Sequence, residues 1–285
     1  MPLSKYHCSL LAVLLGGCLL ANAAVARDYV LGGGFSLDNA NGKSVVAAGD
    51  VAIGESTWIS GALGRSRVDL PRFLEIETSY ASIGVDTYWD PAGLRLGAAY
   101  WGDSDLLDSI DYTASVYSRN DRGSLAIDAE YRDFELELPP IDILPRTNIP
   151  FDAKGLGLSG RLEVSKNVDL HLSGMSYEYS IELQSENADR VVNVLSISRL
   201  SLLSSLIDWE VSAGVGVDVG LRHWQVDVSR WRGAFDGADS QSITLSYLTP
   251  LTTRTDIEFS FGYDDSELYG GVAVFNAFLY FYGGD

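Results

Sequence analysis

The segment Ile207–Val219, with the sequence IDWEVSAGVGVDV, alternates apolar and polar residues along almost its whole length. Successive side chains of a β-strand point to opposite sides, so strict alternation gives a strand two unlike faces. The same pattern recurs down the chain, separated only by short turns and loops. The repetition predicts an all-β protein whose strands each have one apolar and one polar face.

Most of the alternating segments are near the roughly nine to eleven residues that a tilted strand needs to cross a membrane. An even number of such strands is typical of closed single-chain barrels in bacterial outer membranes. We therefore expect a closed antiparallel transmembrane β-barrel of about 14 strands, within a range of about 12 to 16. The predicted strands are 29–37, 44–53, 57–68, 77–89, 93–101, 111–119, 124–136, 153–164, 168–181, 207–219, 221–231, 240–248, 255–263 and 271–282.

The connections between these segments alternate in length. Every second connection is short, and most of the others are longer, which is the known asymmetry between periplasmic turns and external loops. Proline gives an independent indication, because it removes a backbone donor that a strand needs. The sequence predicts that Pro71, Pro91, Pro139, Pro140, Pro145, Pro150 and Pro250 all lie in connections.

Residues 1–26 have the pattern of a secretory signal peptide, which leaves 27–285 as the barrel domain. Lys5 gives a short positive region, an apolar run follows from Leu10 to Leu20, and small residues up to Ala26 offer cleavage sites. Lipidation at Cys18 is an open alternative, because the preceding Leu-Gly-Gly loosely matches a lipoprotein cleavage box. Both cysteines lie inside this segment, so conventional cleavage leaves a cysteine-free chain, as suits an oxidising periplasm.

The charge of the chain is strongly negative. It has 39 acidic and 20 basic residues, and only Lys5 precedes residue 27, so the predicted mature chain has 39 acidic against 19 basic residues, a net charge of −20. Such a surface makes nucleic acid an unsuitable partner. Hydrophobic residues make up 46% of the chain, and strands sort them from the charged residues onto opposite faces.

In size, strand number and the alternation of turns and loops, the chain resembles the Gram-negative outer-membrane β-barrel class. It is similar in size to the small monomeric fourteen-stranded porins, although no motif marks a particular family. One departure is the C-terminus, where Phe281-Tyr282 is followed by Gly-Gly-Asp instead of ending on an aromatic residue. The resemblance implies a monomer in the outer membrane, surrounded by lipid and lipopolysaccharide and inserted by the barrel-assembly machinery.

The alternation also assigns the charged residues of the strands to the barrel interior. A charged side chain facing lipid at mid-depth costs about 2–4 kcal/mol, which excludes the opposite assignment. The predicted lumen-facing acids are Asp86, Asp128, Glu130, Glu163, Asp169, Asp208, Glu210, Asp227 and Glu258, and the predicted lumen-facing basic residues are Arg95, Arg132 and Arg161. No cofactor and no metal site is expected.

An acidic lumen favours cations. The leading hypothesis is a passive porin-like channel for small solutes, with a cation-preferring lumen. The alternative is a non-conducting structural or surface-interaction barrel, in which acids pair with arginines and loops such as 182–206 bind a partner. Whether 182–206 constricts the pore or faces outside is left open by its mixed helical and alternating patterns.

One sequence feature hints at chemistry. Asp169, His171 and Ser173 place an acid, a base and a hydroxyl on one strand face, and a His-x-Ser pair also occurs in some outer-membrane lipid hydrolases. A lipid hydrolase needs these residues toward the bilayer, however, and here Leu170 and Leu172 take that face. We therefore expect no enzymatic activity and keep a lipid-modifying hydrolase only as the second alternative.

Overall fold

The computed structural model describes residues 28–70, 74–103, 107–138, 147–181, 206–234, 237–267 and 270–284. The predicted signal peptide and all but the last residue of 182–206 lie outside these ranges. The strands are β1 (Asp28–Asp38), β2 (Gly42–Ala52), β3 (Thr57–Leu70), β4 (Leu74–Trp89), β5 (Ala92–Asp103), β6 (Leu107–Asn120), β7 (Gly123–Leu138), β8 (Thr147–Ser165), β9 (Val168–Tyr179), β10 (Ile207–Val219), β11 (Arg222–Gly233), β12 (Asp239–Thr252), β13 (Thr255–Ser266) and β14 (Gly270–Gly284).

These strands form one closed antiparallel barrel. Each strand pairs with its neighbours in sequence, and β1 closes the barrel by pairing with β14 from Asp28 opposite Gly284 to Asp38 opposite Val274. The described ranges contain no helix that is long and apolar enough to span a membrane. The prediction of a closed antiparallel barrel of about 14 strands is confirmed.

All the predicted strands are present, but many extend further than predicted at the end away from the short turns. β8 begins at Thr147 rather than at residue 153, and it pairs with β7 out to Leu138. The predicted loops 69–76, 102–110 and 264–270 are largely strand. Ladder hydrogen bonds continue here after the strict alternation of the sequence ends, so the pattern alone does not mark where pairing stops.

The prediction that every proline lies in a connection is wrong for two of them. Pro150 lies in β8 opposite Glu135, and Pro250 lies in β12 opposite Asp256. Pro150 is tolerated because β8 extends past the last residue of β9, so one of its sides has no ladder partner there. Pro250 is tolerated because the register of β12 shifts immediately after it.

The two faces of the barrel wall differ as the alternation predicts. On β7, Leu125 is 64% exposed and Ile127 is 58% exposed, whereas Asp128 and Glu130, on the opposite face, are only partly exposed. We call the apolar side the outer face and the other side the inner face. We also call the end with the short connections, such as 90–91 and 220–221, the turn end, and the opposite end the loop end.

An apolar cluster occupies part of the inner face near the loop end, and we call it the internal core. It is built mainly from residues of β6 to β10, with Ala234 directly after β11, and in it the rings of Phe134 and Phe151 stack with centroids 4.8 Å apart. Leu206, directly before β10, is 1% exposed within it. The buried members are Leu107, Phe134, Leu136, Phe151, Ala153, Tyr177, Leu206, Ile207 and Ala234, with Trp101, Met175, Tyr179 and Trp231 among the side chains packed against them.

Candidate functional site

Three contacts on the polar face each join side chains from strands that are not neighbours. The Tyr117 hydroxyl of β6 donates to Asp86 of β4 (2.6 Å), and the Tyr177 hydroxyl of β9 donates to Glu130 of β7 (2.6 Å). His171 of β9 hydrogen-bonds with Asp227 of β11 (2.5 Å). Side chains converge on the inside of a closed cylinder and diverge on its outside. These contacts therefore support the predicted assignment of the polar face to the interior.

A glycine on the intervening strand makes each of these contacts possible. Gly93 of β5 lies beneath Tyr117, Gly155 of β8 beneath Tyr177, and Gly214 of β10 beneath His171 and Asp227. A Cβ atom at any of the three glycines would collide with the side chain above it. The sequence analysis did not predict these positions. An inward glycine between two strands that carry long polar residues nevertheless indicates that those residues can meet above it.

Each of the three predicted basic residues forms an ion pair with one predicted acid. The Arg95 side chain contacts Asp86 at 3.1 Å, Arg161 contacts Asp169 at 3.0 Å, and Arg132 contacts Glu130 at 2.9 Å. The Arg132–Glu130 pair is the least exposed, at 16% and 11% of the two side chains, and it lies beside the internal core. The structure thus joins six of the predicted site residues in three pairs.

A second group of acids is held by neutral donors. Asp128 accepts the hydroxyls of Ser115 (2.5 Å) and Ser159 (2.7 Å). The Tyr280 hydroxyl donates to Glu258 at 2.7 Å. Hydrogen bonds from neutral groups fix a carboxylate without cancelling its charge.

Asp227 has the same kind of environment, with one titratable partner. Its second oxygen accepts the Gln225 amide at 2.8 Å, while the first is bonded to His171. The imidazole compensates the carboxylate only when it is protonated. Gln225 and His171 therefore hold this carboxylate without a permanently charged partner.

Three predicted acids have no hydrogen bond or ion pair through their side chains within the described ranges: Glu163, Asp208 and Glu210. Glu210 is exposed and on the inner face of β10 opposite Trp231, and Glu163 is exposed near the turn end of β8. The twelve predicted residues are thus distributed over β4 to β13 and do not converge on one centre. Their role in selecting solutes stays a prediction.

The residues that suggested a hydrolase do not contact one another. Ser173 hydrogen-bonds with Ser212 (2.6 Å), His171 with Asp227, and Asp169 with Arg161. A serine nucleophile needs its base within hydrogen-bonding reach. This geometry gives the hydrolase hypothesis no support, and no group of metal-ligating side chains is present among the described residues.

Comparison with known proteins finds similar folds but no similar sequence. No protein-family model matches the chain, and no curated protein sequence matches it. Among solved structures, outer-membrane expressed OmpT of Vibrio cholerae superposes with a TM-score of 0.50 at 6% identity, covering 90% of this chain and 97% of that one. The NanC porin gives 0.47 at 8% identity (89% and 98% covered), and the KdgM porin gives 0.45 at 5% identity (88% and 98% covered).

The chain has the fold of an outer-membrane β-barrel with 14 strands in its described part. At such low identities this likeness concerns the architecture alone. The resemblance to outer-membrane β-barrels stated from the sequence is therefore confirmed for the fold. Neither the solute nor the residues that select it follow from this likeness.

Proposed function

We propose that this protein is a passive channel of the outer membrane with a cation-preferring lumen for small solutes. The observation that carries the proposal is the imbalance of charge among the predicted lumen residues. Three arginines pair with Asp86, Asp169 and Glu130, and Arg132 also lies 4.0 Å from Asp111. The other six predicted acids are left with neutral donors, with an imidazole or with no partner among the described residues. Fixed carboxylates along a pore favour cations and disfavour anions.

The proposal includes the setting of the channel. We place the barrel in the outer membrane, exported through the periplasm, inserted by the barrel-assembly machinery and surrounded by outer-membrane lipid and lipopolysaccharide. The exposed apolar outer face, including Leu125, Leu156, Leu172 and Phe261, is suited to the hydrocarbon of such a membrane. We expect the channel to work as a monomer, without a cofactor, without nucleic acid and without enzymatic activity.

The first test is the conductance of the folded protein in a planar lipid bilayer. We expect discrete current steps and, in a KCl gradient, a reversal potential of the sign that reports cation preference. Heat-dependent mobility on a denaturing gel identifies folded barrels before the recording. Folded protein that passes no current in repeated insertions would overturn the proposal.

A matched pair of variants on β7 tests whether the inner carboxylates set the preference. Asp128→Asn removes an inward charge but keeps a side chain that can bond with Ser115 and Ser159. Asp133→Asn removes an exposed charge from the outer face of the same strand, near the loop end. We expect the reversal potential to move toward zero for Asp128→Asn and to stay unchanged for Asp133→Asn. Equal effects of the two variants would contradict a selective role of the inner face.

The internal core favours a second candidate function, a non-conducting barrel whose loops bind a partner. Its stacked and buried side chains fill part of the inner face near the loop end. This candidate predicts no current from folded protein and a loss of partner binding when external loop segments are deleted. The bilayer recording therefore separates the two candidates directly.

A further inference from the structure

A row of hydroxyl and amide side chains crosses the inner face through eight consecutive strands of the closed barrel. In its first half, Gln225 of β11 lies opposite Ser246 of β12, which lies opposite Ser260 of β13. Ser260 lies opposite Asn276 of β14, whose amide donates to the Ser260 hydroxyl at 2.9 Å. We call this set of residues and its continuation the polar row.

The second half of the polar row crosses the closure of the barrel and continues without interruption. Asn276 lies opposite Ser36 of β1, and Ser36 lies opposite Ser44 of β2. Ser44 lies opposite Ser66 of β3, which lies opposite and hydrogen-bonds with Thr78 of β4. Each of the eight strands thus contributes one side chain that can both donate and accept hydrogen bonds.

The polar row climbs from one end of the barrel to the other because the strands are tilted and staggered. Gln225 lies three residues from the start of β11 at the turn end, counting from Arg222. Thr78 lies four residues from the start of β4 at the loop end, counting from Leu74. The row is therefore a continuous polar path along the wall.

Accessibility distinguishes the polar row from the inner face on the other side of the barrel. Every member except Thr78 is partly exposed. The inward residues of β6 to β8 near the loop end are instead closed off in the internal core, where Ser109 is 2% exposed and Ala153 is 0% exposed. Beyond β4, Asp103 of β5 lies opposite Leu107 of β6, which lies opposite Leu136 of the core.

The turn end of the polar row meets the inner carboxylates. The Gln225 amide donates to Asp227, which is bonded to His171. Glu258 lies two residues before Ser260 on β13, and Ser246 lies on the neighbouring strand β12. Carboxylates repel anions, whereas neutral hydroxyls and amides replace the water around a solute hydroxyl without favouring either charge. The two features together match a solute that carries hydroxyl groups and no negative charge.

We propose that the partly exposed part of the polar row, from Gln225 to Ser66, is the track along which solutes cross this barrel, off-centre and clear of the internal core. We propose further that this track serves small hydroxylated solutes that are neutral or cationic. This inference rests on the proposed channel function and adds to it a path and a solute class. Solutes exchange hydration water for successive hydroxyls and amides of the row as they pass. The internal core closes part of the cross-section of the barrel at the loop end. The opening that is left there lies on the side of the polar row.

The solute class is tested by the swelling of liposomes that contain the folded protein. Glucose should enter readily, while gluconate, of nearly the same size but anionic, should enter more slowly. The double variant Ser44→Ala/Ser246→Ala removes two hydroxyls of the row that have no side-chain partner among the described residues. Because each hydroxyl contributes one modest hydrogen bond, we expect the glucose rate to fall roughly two- to tenfold.

The matched control removes two inward hydroxyls outside the row. Ser173 and Ser212 are partly exposed on the inner face, and among the described residues their hydroxyls bond only with each other, so Ser173→Ala/Ser212→Ala leaves no partner there unpaired. This variant should keep the native glucose rate. Equal loss in both double variants, or no loss in Ser44→Ala/Ser246→Ala, would overturn the proposed track while leaving the channel itself standing. Native protein that neither conducts nor swells liposomes would instead overturn the channel function.

The path is tested independently of any current by thiol labelling, since no cysteine follows Cys18. Ser44→Cys and Ser246→Cys lie on the row, and Ser109→Cys lies in the internal core. A small positively charged thiol reagent should label the first two in folded protein and cut their current stepwise, with neither effect on Ser109→Cys. Labelling of Ser109→Cys alone, or of all three at one rate, would place the path elsewhere. Ala153→Cys replaces Ser109→Cys if the latter does not fold.

Discussion

At the scale of single residues, the inner face depends on small side chains as much as on charged ones. Gly214 allows His171 and Asp227 to meet above β10, and Gly155 and Gly93 do the same for two tyrosine–carboxylate contacts. The alternation predicts which charged residues face inward, because a strand fixes which side chains share a face. It does not predict the partners of these residues, because a pairing across an intervening strand depends on register and on the shape of the space between the strands.

Gly214→Ala should destabilise the barrel, because its Cβ would occupy the place of the His171 ring and the Asp227 carboxylate. Overpacking of this kind costs about 1–3 kcal/mol. The measurement is reversible urea unfolding in lipid vesicles, followed by tryptophan fluorescence. Gly174→Ala, on neighbouring β9, is the control, because its Cβ would meet only ordinary contacts, the nearest at 3.5 Å. A midpoint that moves equally in both variants would show that the clearance above Gly214 has no energetic role.

At the scale of the strands, the alternation predicted every one of them, and the errors lie at their ends. Pairing is decided by the neighbouring strand, so β8 continues to Thr147 along β7 and tolerates Pro150 where β9 has already ended. The internal core was not predicted for a related reason. Leu107, Phe134 and Leu136 face inward near the loop end, where the sequence no longer distinguishes a lumen from a packed interior.

Phe134→Ala should show that the internal core contributes to stability like the core of a soluble protein. Phe134 is 1% exposed and stacks on Phe151, and removal of such a side chain costs about 3–5 kcal/mol. Phe261→Ala on β13 is the comparison, because this outward phenylalanine is 57% exposed and in contact with lipid in the proposed setting. Urea unfolding in vesicles should give a clearly larger loss for Phe134→Ala. Equal losses would mean that the core is no better packed than the lipid-facing surface.

At the scale of the whole molecule, the polar row joins strands from both ends of the chain. Ser36 and Asn276 are neighbours across the closure, although most of the sequence separates them. A contact between residues so far apart in sequence forms late. Closing the long loop costs conformational entropy before the strand pairing contributes any favourable free energy. The polar row, and any function along it, therefore exists only in the closed barrel, whereas the contacts within β6 to β10 need only neighbouring strands.

The closure gives a direct prediction for the double variant Ser36→Cys/Asn276→Cys. Because the two residues are register partners on the inner face, a short thiol-reactive cross-linker should join them in folded protein and leave a covalent ring that migrates anomalously after unfolding. Ser36→Cys/Ser109→Cys, with the second thiol in the internal core, should not be joined.

The order of folding is tested by a refolding time course of a chain in which Trp231 is kept and the other tryptophans are replaced by phenylalanine. The cross-link should appear only after the fluorescence of Trp231, which packs against the core, has reached its folded value. A cross-link that forms before the core does would show that closure precedes the packing of β6 to β10.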